Sequence, residues 1–214
     1  MESPANDRSL ETPEKSLKFN RRGNIFHEKG MIQIIFGPMF SGKTTELLRR
    51  MRRYRIRNDS CLLFKTRDSR YEDDYDKVMT HDKINFLEAV SCDRLYEEVE
   101  ATRNATVIGI DEGQFFPDII EFCDDMANAG KIVIVAALDS DFRRQPFGNI
   151  CQIVAKAERV TKLSSICHFC KEDAAFTARI STETEQKVIG GPDKYKPVCR
   201  ECYSKVNKSE ISVK

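Results

Sequence analysis

The sequence predicts an α/β protein built on a parallel sheet, with a small metal-held unit near its C-terminal end. Short apolar, β-branched runs alternate along the chain with segments of helical period, which is the pattern of parallel strands joined by crossover helices. In the last quarter that alternation stops, and four of the eight cysteines fall into two C-x-x-C pairs.

Residues 1–29 are polar and charged without sustained periodicity, and are expected to form a disordered leader. Ser3-Pro4 and Thr12-Pro13 within it are candidate phosphorylation sites. Met31 to Phe36 (MIQIIF) reads as a buried strand. It runs straight into Gly37-Pro38-Met39-Phe40-Ser41-Gly42-Lys43-Thr44, which satisfies G-x-x-x-x-G-K-[ST]. That pattern is a phosphate-binding loop (P-loop). Gly37 and Gly42 let the backbone turn its N–H groups onto a phosphate, and the following helix N-terminus adds partial positive charge. Lys43 suits the β/γ-phosphates of a nucleoside triphosphate, and the Thr44 hydroxyl suits Mg²⁺. Glu46 to Arg57, with Leu47, Met51 and Tyr54 at i, i+4 and i+7, supplies the helix the motif requires.

Ser60 to Lys65 reads as a second strand. A polar stretch from Thr66 to Lys83 follows, containing Asp68 and Arg70, and its length suggests a functional flap. Asn85 to Val90 is expected as a strand and Cys92 to Thr102 as a helix. Thr106 to Ile110 then ends in Asp111-Glu112-Gly113-Gln114-Phe115-Phe116, about 70 residues beyond the loop, which fits the Mg²⁺-organising acidic strand end of P-loop NTPases. Pro117 suits a first helical turn, Ile119 to Ala129 continues it, and Gly130 caps it. Lys131 to Leu138 (KIVIVAAL) is apolar throughout, as in a strand covered on both faces. Asp139 to Gly148 therefore falls on the ligand-bearing sheet edge. Gly148 to Glu158 reads as a helix and Val160 to Leu163 as a last strand.

Cys167-His168-Phe169-Cys170 and Cys199-Arg200-Glu201-Cys202 are separated by 28 residues. Four thiolates in two close pairs suit tetrahedral Zn²⁺, and a closed Cys₄ site is structural. A redox role would need a strand-to-helix context, which neither pair is expected to have; His168 is expected to be a bystander. Between the pairs, Phe176 to Ile180 and Gln186 to Gly191 are β-prone runs separated by Ser181 to Glu185, expected to pair as a hairpin or lasso pinned at its base. The expected organisation is thus a leader at 1–29, a P-loop α/β domain at 30–160, a zinc-binding lasso domain at 161–204 and a flexible tail at 205–214.

Lys+Arg 35 against Asp+Glu 34 leaves a net charge of +1, so no global field draws the chain to nucleic acid or membrane. There is no apolar run of about 18 residues and no secretory signal pattern, so a cytosolic or nuclear protein with reduced thiols is expected, with the cytoplasm as the assigned setting. Cys61, Cys92, Cys123 and Cys151 then read as small core side chains. Glu112, beside the acidic strand end but without a metal duty, suits a general base. It would serve equally to activate an acceptor hydroxyl or a water molecule. A nucleic-acid-stimulated ATPase therefore remains as an alternative, resting on the basic run Arg49 to Arg57. A zinc-ribbon interaction module with a vestigial nucleotide site is weakened by intact Lys43, Thr44, Asp111 and Glu112.

In this order, G-P-M-F-S-G-K-T, V-I-G-I-D-E-G-Q-F-F-P-D, V-I-V-A-A-L-D, P-F-G and C-x-x-C…V-I-G-G…D-K-Y…C-x-x-C resemble the type II (cytosolic) thymidine kinases over Met31 to Tyr203. The resemblance implies a RecA-like P-loop NTPase fold and transfer of the γ-phosphoryl of ATP to the 5′-hydroxyl of thymidine or deoxyuridine. It implies that Gly37 to Thr44 hold the triphosphate, that Asp111 organises Mg²⁺ with Gln114 nearby, and that Glu112 takes the hydroxyl proton. Asp68, Arg70 and Arg179 match residues expected near the phosphates. The implied thymine pocket is Met39, Phe115, Leu138, Phe142, Thr177, Val188 and Tyr195, with the backbone of Gln186, Ile189 and Gly190 reading the pyrimidine edge. A dimer or tetramer and feedback inhibition by thymidine triphosphate (dTTP) are implied in the same way. Two departures stand out: Thr44 occupies a place where the family often has Ser, and the Lys-Glu-Asn degradation tripeptide of vertebrate members is missing.

Overall fold

The computed structural model describes residues 30–67 and 89–208. The expected leader, the stretch holding Asp68 and Arg70, and residues 209–214 lie outside the described residues.

The main sheet has six parallel strands: β1 (Met31–Phe36), β2 (Cys61–Thr66), β3 (Ala89–Cys92), β4 (Val107–Ile110), β5 (Ile132–Ala137) and β6 (Arg159–Lys162). Their order is β3-β2-β4-β5-β1-β6. β5 lies between β1 and β4, with Phe36 paired to Ala137 and Ile110 to Val135. The phosphate loop after β1 and the acidic pair after β4 therefore stand one strand apart, and the turn that leaves the end of β5 occupies the gap between them.

Alternation along the strands sorts the apolar side chains onto two faces. Ile32, Ile34, Phe64, Ile108, Ile110, Val133 and Val135 pack against α2 (Ile119–Asn128) and α3 (Ile150–Val154). Ile35, Leu63, Val107, Ile134 and Ala136 pack against Leu47 and Met51 of α1 (Lys43–Ile56). All six residues of β5 are buried, as its unbroken apolar run requires. Each such Ile or Val contributes about 1.5–3 kcal/mol over its exposed state. On α1, Arg50 turns inward to Glu46, Gln33 and Thr161, whereas Arg49, Arg52 and Arg53 stay exposed.

In the α/β part, three expected elements differ in kind or extent. The segment expected as helix from Cys92 is a 3₁₀ helix over Leu95–Thr102, kinked at Glu98. The Asp118 carboxylate accepts from the backbone N–H groups of Leu95 and Tyr96 and sets where it starts. α3 stops at Val154 because Glu158 must reach the start of β1, where its carboxylate accepts from Ile32 N–H at 2.7 Å. The third strand is observed over Ala89–Cys92, ending two residues beyond the expected Val90, with Cys92 paired to Thr66.

The C-terminal unit holds two small antiparallel pairs, β7 (Ser165–Ile166) with β8 (Asp173–Ala174) and β9 (Phe176–Arg179) with β10 (Tyr195–Val198), followed by α4 (Arg200–Asn207). Of the hairpin or lasso expected from Phe176–Ile180 and Gln186–Gly191, the hairpin does not form. β9 pairs instead with β10, and residues 180–194 leave as a loop closed by Ile180 N–H donating to Lys194 O. A strand-to-helix context does exist at the second cysteine pair, contrary to expectation, since β10 leads through Cys199 into α4.

Candidate active site

The phosphate loop is built by backbone geometry. Gly42 caps α1 in the left-handed region, φ 79°, which a β-carbon disfavours. Gly37, at φ 152°, lies so close to Leu163 that a β-carbon would stand 2.4 Å from its carbonyl oxygen. Inside the loop the Lys43 ammonium donates to Pro38 O at 2.8 Å, and Ser41 Oγ donates to the same oxygen. Burial lowers the Lys43 pKa below its ordinary value, against the opposing pull of Glu112, Asp111 and Asp139.

The Thr44 hydroxyl lies 3.0 Å from both carboxylate oxygens of Asp111, a residue 3% exposed. A hydroxyl and a buried carboxylate converging in this way, at a helix N-terminus, are the hard oxygen donors that suit Mg²⁺. Glu112 follows in left-handed backbone conformation, φ 54° and ψ 42°, an uncommon state for a non-glycine residue. Its N–H donates to Asp111 Oδ1, and its carboxylate accepts from Gln114 Nε2 at 2.5 Å. Gln114 Oε1 in turn accepts from Leu138 N–H at the end of β5. Gln114, expected beside ATP and Mg²⁺, thus ties Glu112 to the neighbouring strand.

Lys43, Thr44 and Glu112 line a cleft of about 570 Å³ that continues past Phe115, Leu138, Phe142 and Thr177 to Gln186–Pro192 and Tyr195 of the lasso. Met39, Phe40, Gly42, Val188, Ile189 and Gly190 also face it. One end of this space is charged and polar; the other is walled by rings and aliphatic groups with lasso backbone alongside. Such a space suits a flat base joined to a polar chain. Phe115 meets Phe147 edge to face at 5.5 Å, and Lys187 Nζ stands 4.7 Å from the Phe115 ring centre. Phe147, Lys187, Thr66 and Asp141 belong to the lining but were not singled out from sequence. Asp141 had a signal there, as the second carboxylate of D-S-D-F just past a buried strand.

Arg179 is placed differently from its expected position by the phosphates. Its guanidinium donates to the carbonyls of Glu183, Glu185 and Gln186 and to the Tyr195 hydroxyl, and it stacks 3.7 Å from the Phe142 ring centre. Tyr195 passes the connection on, donating to Val188 O at 2.7 Å. A 15-residue loop without internal strands is thereby organised around one buried cation. Thr177 Oγ1 accepts from Met39 N–H at 3.0 Å, joining β9 to the phosphate loop.

The Sγ atoms of Cys167, Cys170, Cys199 and Cys202 all lie within 4.8 Å of one another, and Cys170 Sγ is 3.6 Å from Cys199 Sγ. Tetrahedral zinc with Zn–S bonds of about 2.3 Å separates its sulfurs by about 3.8 Å, so these residues fit that ion. Burial opposes ionisation of Cys167, yet the backbone N–H groups of Cys170, Cys199 and Phe169 hold its thiol down at about 6. Burial and the neighbouring thiols push Cys202 up to about 12. Sulfurs this close ionise together only around a cation. The His168 ring packs on Phe169 and takes no part in the cluster.

Among the described residues no helix is long and apolar enough to cross a membrane. Residues 30–203 match the family model described as thymidine kinase. The chain is 53% identical over 184 residues to human "Thymidine kinase, cytosolic", covering 86% of this chain and 77% of that one. It is 52% identical over 178 residues to "Thymidine kinase 1" of Dictyostelium discoideum, covering 82% and 78%. It is 53% identical over 175 residues to the thymidine kinase of Monkeypox virus, covering 81% and 97%.

Proposed function

The chain belongs to the thymidine kinase family, and from that premise we propose that it transfers the γ-phosphoryl group of ATP to the 5′-hydroxyl of thymidine, and of deoxyuridine, in pyrimidine deoxynucleotide salvage. The observation that carries this reading is a single cleft lined by the phosphate loop, Glu112 and the lasso.

In the proposed reaction ATP lies on Gly37 to Thr44, with its polyphosphate drawing Lys43 away from Pro38 O. Thr44 and Asp111 are the residues that would hold Mg²⁺, and the ion would supply positive charge to the transferred phosphoryl group. The nucleoside base enters between Phe115, Leu138, Phe142 and Val188, with Met39, Thr177 and Tyr195 beside it. The lasso backbone at Gln186, Ile189 and Gly190 supplies polar groups that a mismatched base leaves unpaired, a penalty that selects among bases. Glu112, held by Gln114, accepts the 5′-hydroxyl proton as the oxygen attacks; such a base contributes about 10² to 10⁴ in rate. Asp68 and Arg70 are proposed at the phosphate end. Arg179 acts by shaping the lasso, a role its four hydrogen bonds support. The cysteine cluster holds structural Zn²⁺.

Thymidine triphosphate combines the base taken at one end with the triphosphate taken at the other, which makes it the expected feedback inhibitor. The cytosolic designation of the human relative supports a cytoplasmic setting. A homodimer or homotetramer is the proposed assembly, to be read by sedimentation with and without ATP. Neither nucleic acid nor membrane is a proposed partner, in keeping with the balanced charge.

The test is transfer of labelled γ-phosphate from ATP·Mg²⁺ to thymidine, deoxyuridine, deoxycytidine and deoxyguanosine, with a nucleoside-free control. Product confined to thymidine and deoxyuridine is expected. Phosphate release without nucleoside, stimulated by single-stranded nucleic acid, would favour the ATPase alternative.

A further inference from the structure

We infer that Asp141 is a positioning residue that latches the lasso over the nucleoside end of the cleft through the side chain of Gln186. The inference rests on the reading of that end as the nucleoside site.

Asp141 is 5% exposed and lines the cleft. Its two carboxylate oxygens do separate work. Oδ1 accepts from Arg143 N–H at 2.8 Å and Gln145 N–H at 2.9 Å, contacts that fold the turn after β5 on itself. Oδ2 accepts from Gln186 Nε2 at 3.1 Å, across 45 positions of sequence. A buried carboxylate needs its lone pairs satisfied. Here the turn satisfies one oxygen and leaves the other directed at the lasso.

The hydrogen bonds of Arg179 give the lasso its internal shape, and all four go to the lasso or its base. Its stacking on Phe142 touches the turn after β5, but without a directional bond to fix the register of the loop; hydrogen bonds that fix it against the α/β domain come from other groups. Arg143 donates to Thr184 O from an exposed position, and Lys187 stands over Phe115. Asp141 to Gln186 joins a buried, turn-anchored acceptor to the first lasso residue of the cleft wall, directly before Lys187 and Val188. Releasing it lets the backbone at 186–190 move from the base without disturbing the phosphate loop or the cysteine cluster.

The test exchanges the two partners. In the zinc-loaded, full-length protein, Gln186→Glu sets a second carboxylate against Asp141, and the double variant Asp141→Asn/Gln186→Glu restores an amide–carboxylate pair in reverse. Asn at 141 keeps an acceptor for the turn, so the fold is retained. Two readouts are taken: thymidine and ATP KM, and hydrogen exchange of residues 181–191 without nucleotide. With Gln186→Glu, thymidine KM rises about tenfold, the worth of one hydrogen bond to a charged group, and ATP KM moves by less than about twofold. Exchange over 181–191 quickens. The double variant returns both readouts towards wild type. Unchanged KM and exchange in Gln186→Glu, or a double variant that holds zinc and melts normally yet restores neither, overturns the latch. If the wild-type protein phosphorylates no nucleoside, the functional reading fails and the exchange comparison alone decides the latch.

Discussion

The side-chain amide of Gln114 bridges the carboxylate of Glu112, at 2.5 Å, and the backbone N–H of Leu138, at 2.9 Å. It links the end of β4 to the end of β5 and aims a carboxylate whose own backbone sits in left-handed conformation. Holding a non-glycine residue there costs about 1–3 kcal/mol, so the surroundings must over-determine it.

Removing that bridge should therefore slow chemistry more than it weakens binding. Gln114→Leu is expected to lower kcat about 10- to 100-fold with ATP and thymidine KM nearly unchanged, and Glu112→Gln to lower it by the larger factor of about 10² to 10⁴. Steady-state kinetics on both variants check this. A Gln114→Leu enzyme with normal kcat would show that Glu112 needs no such support.

Arg179 supplies the second prediction. A guanidinium can donate to the carbonyls of Glu183, Glu185 and Gln186 and to the Tyr195 hydroxyl while lying flat on Phe142; an ammonium has neither the fork nor the plane. Arg179→Lys should raise thymidine KM about tenfold or more, by the worth of at least one charged hydrogen bond. Its zinc content should stay normal. Equal losses in thymidine and ATP affinity would instead return Arg179 to the phosphates.

The phosphate loop was legible in the sequence and the lasso contacts of Arg179 were not, and the difference lies in the kind of signal each leaves. The phosphate loop was readable because its chemistry is backbone chemistry. Gly42, Lys43 and Thr44 must stand at fixed spacing, and a strand must precede them. The acidic strand end at Asp111 was readable in the same way. Arg179 organises carbonyls four to seven residues ahead, and backbone carbonyls carry no residue identity, so nothing in the letters marks them. The pairing of β9 was hidden by Pro197, which argues against a strand. It is tolerated because this sheet has only two strands, and Pro197 pairs with Thr177 while its carbonyl accepts from His168 N–H.

The lone cysteines yield a third prediction. Burial, then the neighbouring Asp59, raises the Cys61 thiol to about 11. Burial, then Glu98, raises Cys92 to about 11, and burial raises Cys123 further. Raised pKa values leave little thiolate at neutral pH, and alkylation follows thiolate and access. Exposed Cys151 should react first with iodoacetamide in zinc-loaded protein, Cys61 and Cys92 slowly and Cys123 last, as read by peptide mass spectrometry. Because these thiols titrate upwards, raising the pH towards 11 should narrow the gap for Cys61 and Cys92.

Zinc removal should weaken thymidine binding more than ATP binding, because the cysteine cluster and the nucleoside end of the cleft share one short mechanical path. Cys199 caps α4 through its sulfur and Cys202 lies in the helix's first turn. The next residue, Tyr203, donates its hydroxyl to Phe142 O at 2.9 Å, and the Arg144 guanidinium stacks 4.4 Å from the Tyr203 ring centre. Phe142 is the ring on which Arg179 rests and a wall of the cleft. If the cluster holds zinc as proposed, removing it would leave the four sulfurs to repel or protonate, α4 would lose its anchor, and Phe142 would lose the carbonyl contact that sets its ring. The phosphate loop, built on β1 and α1, keeps its own backbone geometry. Cys199→Ser should accordingly lose zinc by elemental analysis. It should raise thymidine Kd about tenfold or more while ATP Kd shifts much less, both read by calorimetry. Retained zinc would contradict the four-cysteine site, and parallel loss of both affinities would mean that the path extends across β9 to Met39, through the Thr177 hydroxyl.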